Sequence, residues 1–167
     1  MVIDFARLVR HFATGSRAVR RRFPASALTA IEAAIAAAEV RHEPEIRFAV
    51  EAALHPRAVI DGLTPRDRAI ALFSELRVWD TEHNTGVLIY LLLADRNVEI
   101  VADRGVAARV GTAEWEVICR EMEGHLREGR YEAGALAGIR ATSDLLARHF
   151  PARGPRRGEQ PDRPVVL

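Results

Sequence analysis

The spacing of apolar residues divides the chain into short helices and strands. Apolar positions three and four apart predict helices over residues 2–12, 25–41, 65–77, 112–128 and 131–150. The start of the third helix is marked by Thr64, which can cap it, by Pro65 at the first helical position and by Asp67 in the first turn. Ser26 is the expected N-cap of the helix over 25–41.

Three other segments have the pattern of strands. Around residues 46–53, apolar side chains alternate with the charged residues Glu45, Arg47 and Glu51. This alternation predicts a strand with one wet face, that is, one face exposed to solvent. The apolar run 86–93 and the alternating run 98–102 follow the helix over 65–77 and are joined by a short polar turn. The first two strands are expected to be parallel and the third antiparallel.

The order of these elements predicts an α/β fold. It consists of a small mixed β-sheet, a parallel βαβ unit plus an antiparallel hairpin, sandwiched between helices. A chain of 167 residues is long enough for one domain with its own core.

Charge divides the chain into three parts. Residues 1–22 hold six arginines and one acid, residues 23–150 hold 14 arginines and 20 acids, and residues 151–167 hold four arginines and two acids. We therefore expect a basic amphipathic N-terminal arm (1–22), an acidic α/β domain (23–150) and a disordered tail rich in arginine and proline (151–167). The arm is expected to dock on a partner protein, on an anionic membrane surface or on the body itself. The alternative is a basic extension that is simply solvated. The acidic body makes nucleic acid an unlikely partner.

Composition excludes several kinds of chemistry. All 24 basic residues are arginine, so Schiff-base and P-loop lysine chemistry is ruled out. The histidines show no paired zinc-ligand spacing, and Cys119 lies on an apolar helix face, which favours an inert thiol. No apolar run reaches the length of about 20 residues that spans a bilayer, and a secretory signal is not expected. We expect a cytoplasmic protein, peripheral at the inner membrane face.

The first candidate site lies where the predicted hairpin returns to its entry loop. With a turn centred on residues 95–96, position 88 faces about 103 and position 86 about 105. The side chains that would converge are Asp80, Glu82, Asn84 and Asp103. Carboxylate and amide oxygens suit Ca²⁺ or Mg²⁺. Arg104 would hold a phosphate, or would instead neutralise the carboxylates together with Arg77.

A second candidate site lies at the opposite end of the sheet, where open α/β folds usually bind ligands. Glu51 and His55 after one strand, and Asp95 and Arg96 after the next, are expected there. The simpler interpretation of both ends is ordinary loop polarity, with carboxylates that cap turns and pair with arginine.

Three segments in a fixed order resemble the TPM-domain family, most closely the bacterial branch of uncharacterised, membrane-associated members. They are Asn84–Tyr90 (NTGVLIY), Asp95–Ile100 (DRNVEI) and Glu128–Gly134 (EGRYEAG). The resemblance covers roughly residues 25–150. It departs from the family pattern at Trp79-Asp80, where Trp-Gly is usual, and in the arginine-rich stretch 14–22.

The resemblance implies a central mixed sheet between helices. Family members are credited with divalent-metal binding, with acid phosphatase activity in plants and with the assembly or repair of membrane complexes. Because the sequence shows no complete catalytic constellation, we expect a non-enzymatic binding or assembly module of this type that acts at a membrane face with a protein partner and binds Ca²⁺ or Mg²⁺. The alternative is a divalent-metal-assisted phosphatase.

Overall fold

The structure is a computed structural model, and it describes residues 4–155 and 158–167. The helices of this part of the chain are α1 (Phe5–Ala13), α2 (Ser16–Arg22), α3 (Ala25–Ala38), α4 (Pro56–Ile60), α5 (Pro65–Glu75), α6 (Arg104–Ala107), α7 (Thr112–Arg127) and α8 (Tyr131–His149). The strands are β1 (Glu45–Glu51), β2 (Gly86–Leu92), β3 (Asn97–Ala102) and β4 (Val165–Val166).

The four strands form one mixed sheet in the order β3-β2-β1-β4. β1 and β2 are parallel, from Glu45 opposite Gly86 to Glu51 opposite Leu92, and α5 lies in the connection between them. β2 and β3 form the antiparallel hairpin. The predicted fold class is therefore confirmed, and Thr64 and Asp67 form the expected capping box at the start of α5.

Helices cover both faces of the sheet. One face packs Ile46, Phe48 and Ile89 against α3, α7 and α8. The other face packs Leu88 and Tyr90 against α4 and α5. Because side chains alternate along each strand, β1 and β2 supply buried residues to both layers.

The expectation of one wet face on β1 is wrong. Glu45 and Arg47 are buried, and Glu51 is half-buried. The C-terminal segment covers the first two: the carboxylate of Glu45 accepts from the amides of Glu159 and Gln160, and Arg47 donates to the carbonyl of Pro161. Local alternation did predict the strand, but the segment that covers its polar side comes from more than a hundred residues later.

The same segment corrects the expectation of a disordered tail over 151–167. Val165 and Val166 pair in parallel with Ala49 and Val50 and make β4, an added edge strand. Leu167 continues the pairing, since its amide donates to the carbonyl of Val50 at 2.9 Å. Side-chain bonds anchor the segment although its composition is typical of disorder. Residues 156–157, which the prediction included, lie outside the described residues.

The N-terminal arm is more closely joined to the body than the boundary at 22/23 suggests. A second helix, α2, begins at Ser16, and its Val19 is buried in the core beside Phe23. The helix α3 is capped by Pro24 and not by Ser26. Residues 2–3 of the predicted first helix lie outside the described part of the chain.

Candidate functional site

The hairpin register differs from the predicted one by two residues. Leu88 pairs with Val101, where position 103 was expected. The reason is the turn: Arg96 donates its amide to the carbonyl of Leu93 at 3.1 Å, so the loop of residues 93–96 is centred one residue earlier than predicted. The entry loop and the end of β3 still meet, because the Gly105 amide donates to the Asn84 carbonyl at 2.9 Å.

At this loop end the carboxylates have separate internal partners. Asp80 pairs with Arg77 at 3.0 Å. Asp103 is the N-cap of α6 and accepts from the Arg104 amide at 2.7 Å. The Arg104 guanidinium in turn donates to Oδ1 of Asn84 at 2.9 Å.

Asp80, Asn84 and Asp103 are each engaged by another group. The amide of Glu82 is bound by the carboxylate of Glu159 at 2.9 Å, which ties this loop to the C-terminal segment. Across residues 4–155 and 158–167, no group of three or more His, Cys, Asp or Glu is placed to hold a metal ion. Binding of Ca²⁺ or Mg²⁺ and the phosphatase alternative therefore stay predictions, and no group of ligands among the described residues supports them.

The second candidate end gathers its residues much more closely. Glu51, the last residue of β1, accepts from the phenol of Tyr90 at 2.7 Å and from Nε of Arg68 at 2.9 Å. Burial raises the pKa of Tyr90, and the neighbouring Glu51 carboxylate raises it further. The phenol therefore stays protonated and serves as a fixed donor.

Asp95 lies in the β2–β3 turn beside this group and binds α1. Its carboxylate accepts from Arg7 at 2.9 Å and from Nε2 of His11 at 3.1 Å, and Arg10 lies 3.7 Å away. Desolvation alone would raise the pKa of Asp95, but the hydrogen bonds from Arg7 and His11 outweigh it and leave the pKa below its ordinary value. The carboxylate is only 11% exposed, so this is a largely dehydrated ion pair.

His11 connects the same helix to the end of β1. Its side chain is fully buried, and its Nδ1 accepts from the Leu54 amide at 2.9 Å. Since Nδ1 accepts, the proton is on Nε2, which donates to Asp95. Helix α1 therefore lies across the carboxyl ends of β1 and β2, where the second site was predicted.

The other two residues predicted for this end are directed elsewhere. Arg96 is exposed in the turn with a φ of 50°. His55 caps α4 by accepting from the Arg57 amide at 3.2 Å. Glu51 and Asp95 are therefore the members of the predicted set that accept hydrogen bonds here. They lie in two neighbouring groups, which we together call the carboxyl-end network.

Sequence reasoning missed four members of this network: Arg7, His11, Arg68 and Tyr90. Arg7 and His11 are four positions apart, so they lie on one face of α1. This spacing was the sequence signal that could have indicated a common partner. Nothing in the local sequence indicated that their partner would be Asp95, in a turn 88 positions after Arg7.

Because its polar face docks on the body, α1 leaves its apolar face outside. Phe5, Val9 and Phe12 are 72%, 51% and 72% exposed, and they are spaced as one stripe along the helix. Three exposed arginines follow on α2: Arg17, Arg20 and Arg21. We call these six residues the α1–α2 surface.

The apolar and basic parts of the α1–α2 surface adjoin each other. Phe12, Arg17 and Arg21 line one shallow concavity of about 480 Å³ between the two helices. Within the described residues, none of the helices is both long and apolar enough to cross a membrane.

Comparison with known proteins identifies a family and similar solved structures. The model of the TPM domain matches residues 22–145. The NMR structure of BA42 protein from the psychrophilic bacterium Bizionia argentinensis is similar to this chain, with 26% identity and a TM-score of 0.77; the match covers 87% of this chain and 95% of BA42. No curated relative matches the sequence.

Proposed function

The chain belongs to the TPM domain family, and we propose that it is a non-enzymatic docking module that binds an anionic membrane surface through its first two helices. The observation that carries the proposal is the orientation of α1. Its polar side is bound to Asp95 and Leu54, while Phe5, Val9 and Phe12 are exposed. An exposed apolar stripe of this kind on a helix is typical of an interaction site.

The chemistry of the α1–α2 surface favours lipid over other partners. Aromatic rings next to arginines suit the boundary between acyl chains and headgroups, since the rings enter the apolar layer and the guanidinium groups meet the phosphates. Arg17, Arg20 and Arg21 together add on the order of 3 kcal/mol of attraction to a surface rich in anionic lipid. A TPM domain held this way presents its acidic body to other proteins, and the protein partner stays a prediction.

Vesicle flotation of the full chain tests the proposal. The protein is expected to float with phosphatidylcholine vesicles that contain phosphatidylglycerol and to stay behind with pure phosphatidylcholine. The double variant Phe5→Ser and Phe12→Ser should lose most of this binding. These side chains are exposed, so the substitutions leave the core intact.

Matched controls distinguish binding through the α1–α2 surface from nonspecific binding through other exposed apolar residues. Ile70 and Val117 are also exposed apolar residues, 48% and 56%, but they lie on α5 and α7. The double variant Ile70→Ser and Val117→Ser should bind as the wild type does. Point substitutions are sharper than deletion of residues 1–22, which would remove the buried Val19 and His11.

A separate set of variants tests whether binding requires the arginines of the α1–α2 surface. Arg17→Gln with Arg20→Gln should lower binding to anionic vesicles, and raising the salt concentration should weaken the wild type in the same direction. Arg148→Gln, on the exposed side of α8, should have no effect. Equal binding to neutral and anionic vesicles, or undiminished binding of the Phe5 and Phe12 variant, would show that the proposal is wrong.

A further inference from the structure

The open edge of the sheet, at β3, lies outside the α1–α2 surface that is proposed to dock on a membrane. β3 is the outermost strand on its side, so one row of its backbone groups faces away from β2. The amide of Asp103 donates to the carbonyl of Gly86. This bond determines which residues of β3 direct their backbone groups toward β2 and which direct them away. Val98, Ile100 and Ala102 therefore direct their amides and carbonyls outward.

Side chains from two helices close this edge. Glu123 of α7 accepts from the outward amide of Val98 at 3.1 Å, and Arg66 of α5 donates to the outward carbonyl of Ile100 at 2.6 Å. Cys119 of α7 lines the groove beside the same edge. Glu123 and Arg66, the edge caps, occupy positions at which the backbone of another strand would bind.

A groove lies beside this edge. A concavity of about 460 Å³ runs along β3, with Ile100, Val110 and Trp115 among its apolar lining residues. Charges of both signs border it, including Arg66 and Arg120 as well as Glu116 and Glu123. A surface with both signs can face its own copy without net repulsion.

We propose that the β3 edge is a strand-pairing surface for a second copy of this chain, and that Glu123 and Arg66 keep it closed. An antiparallel pair centred on Ile100 is symmetric, because the two Ile100 residues exchange amide and carbonyl and Val98 of each chain faces Ala102 of the other. Such a two-fold contact uses the same patch on both chains and closes on itself. Release of the caps converts the four-stranded sheet into one continuous eight-stranded sheet across a dimer.

The edge caps can be removed without removing the strand. Glu123→Ala together with Arg66→Ala should lower the dissociation constant of the dimer by about tenfold or more relative to the wild type, since capped backbone groups become available. Sedimentation over a concentration series measures this shift. Glu123→Gln alone retains an acceptor for Val98 and should leave the association unchanged.

A matched control lies in the same groove. Glu116 and Arg120 are one acid and one arginine on the exposed side of α7. Glu116→Ala with Arg120→Ala makes the same change in charge and should not alter the association. If this control dimerises as strongly as the uncapped variant, loss of surface charge is the cause and the proposal is overturned.

The geometry of the dimer is tested by amide exchange. In the uncapped dimer the amides of Val98 and Ile100 should exchange more slowly as concentration rises. Adding Ala102→Pro removes an outward amide without touching a bond to β2, and should weaken the dimer. An uncapped variant that keeps the wild-type circular dichroism spectrum and the wild-type mass at every concentration would overturn the proposal, as would a dimer whose β3 amides stay unprotected.

Discussion

His11 donates from Nε2 to Oδ1 of Asp95 at 3.1 Å, and this bond joins the first helix to a turn 84 positions later in the chain. The other nitrogen of the same ring accepts from the amide of Leu54. One buried imidazole therefore holds together α1, the end of β1 and the β2–β3 turn.

Asp95→Ala should destabilise the fold by about 2–3 kcal/mol, because Arg7 and the buried His11 lose their acceptor. Urea denaturation at neutral pH measures the difference. Asp144 provides the control: it pairs with Arg41 at 2.8 Å, but both side chains are about half exposed (50% and 49%), so Asp144→Ala should cost less than about 1 kcal/mol. Similar costs for the two variants would contradict the assignment of a buried pair to Asp95.

The contribution of Asp95 should depend on pH. Its pKa is lower in the folded protein than in the unfolded chain, so the stabilisation is complete above the unfolded pKa of about 4 and is lost as the pH falls through the folded pKa. The difference in the free energy of unfolding between the wild type and Asp95→Asn should therefore narrow with acidification. A gap that stays constant from neutral pH to the acid transition would count against this prediction.

Tyr90→Phe should cost about 1 kcal/mol, since the variant leaves Glu51 without the phenol donor at 2.7 Å. The raised pKa of Tyr90 adds an alkaline signature. Its stabilisation is complete below the unfolded tyrosine pKa of about 10 and is lost as the pH rises above that value. The phenolate absorbance of Tyr90, taken as the difference between wild type and Tyr90→Phe, should appear together with unfolding; phenolate formation in the folded protein near pH 10 would refute the prediction.

Gly86→Ala should destabilise by about 1–3 kcal/mol or more, because a Cβ there would lie 1.9 Å from the carbonyl oxygen of Val78. The neighbour is backbone and has little freedom to move. Gly124 lies within α7 with nothing inside 4 Å of a Cβ, so Gly124→Ala should stabilise by about 0.5–1 kcal/mol. Thermal denaturation of the two variants should give shifts of opposite sign, and shifts of the same sign would disprove the steric argument.

Gln160→Ala should loosen the C-terminal segment. The Gln160 side chain is buried and donates to the carbonyl of Arg77 at 3.1 Å. Exchange of the Leu167 amide, which donates to Val50, should become faster in the variant. Arg163 is exposed and contributes its carbonyl to Arg47, so Arg163→Ala should leave the exchange rate unchanged. Equal protection of Leu167 in both variants would mean that the strand pairing alone anchors the segment.

Local patterns predicted the parts of this fold that are determined locally. The capping residues Thr64 and Asp67 gave the start of α5, and the apolar run before residue 93 gave a fully buried strand. The parallel arrangement of β1 and β2 followed from the helix between them. The family resemblance was carried by three short segments in a fixed order along the chain.

Contacts between distant segments could not be predicted in this way. Alternation along β1 showed that Arg47 points away from Ile46, but not that the carbonyl of Pro161 would cover it. The turn at Asp95 showed a carboxylate, but not that Arg7 and His11 would neutralise it. At both candidate ends the arrangement depends on which side chain pairs with each carboxylate, and the apolar pattern of the sequence does not specify that pairing.

The pairing of Val50 with Val166 also has a consequence for synthesis on the ribosome. β1 emerges early, but the strand that covers its edge is made only at residues 165–166. At a translation rate of about 5–20 residues per second, the edge of β1 stays uncovered for on the order of 10 s. During that interval the nascent chain presents an apolar strand, so its yield in the cell should depend on how crowded the polysome is and on the chaperones that meet it there.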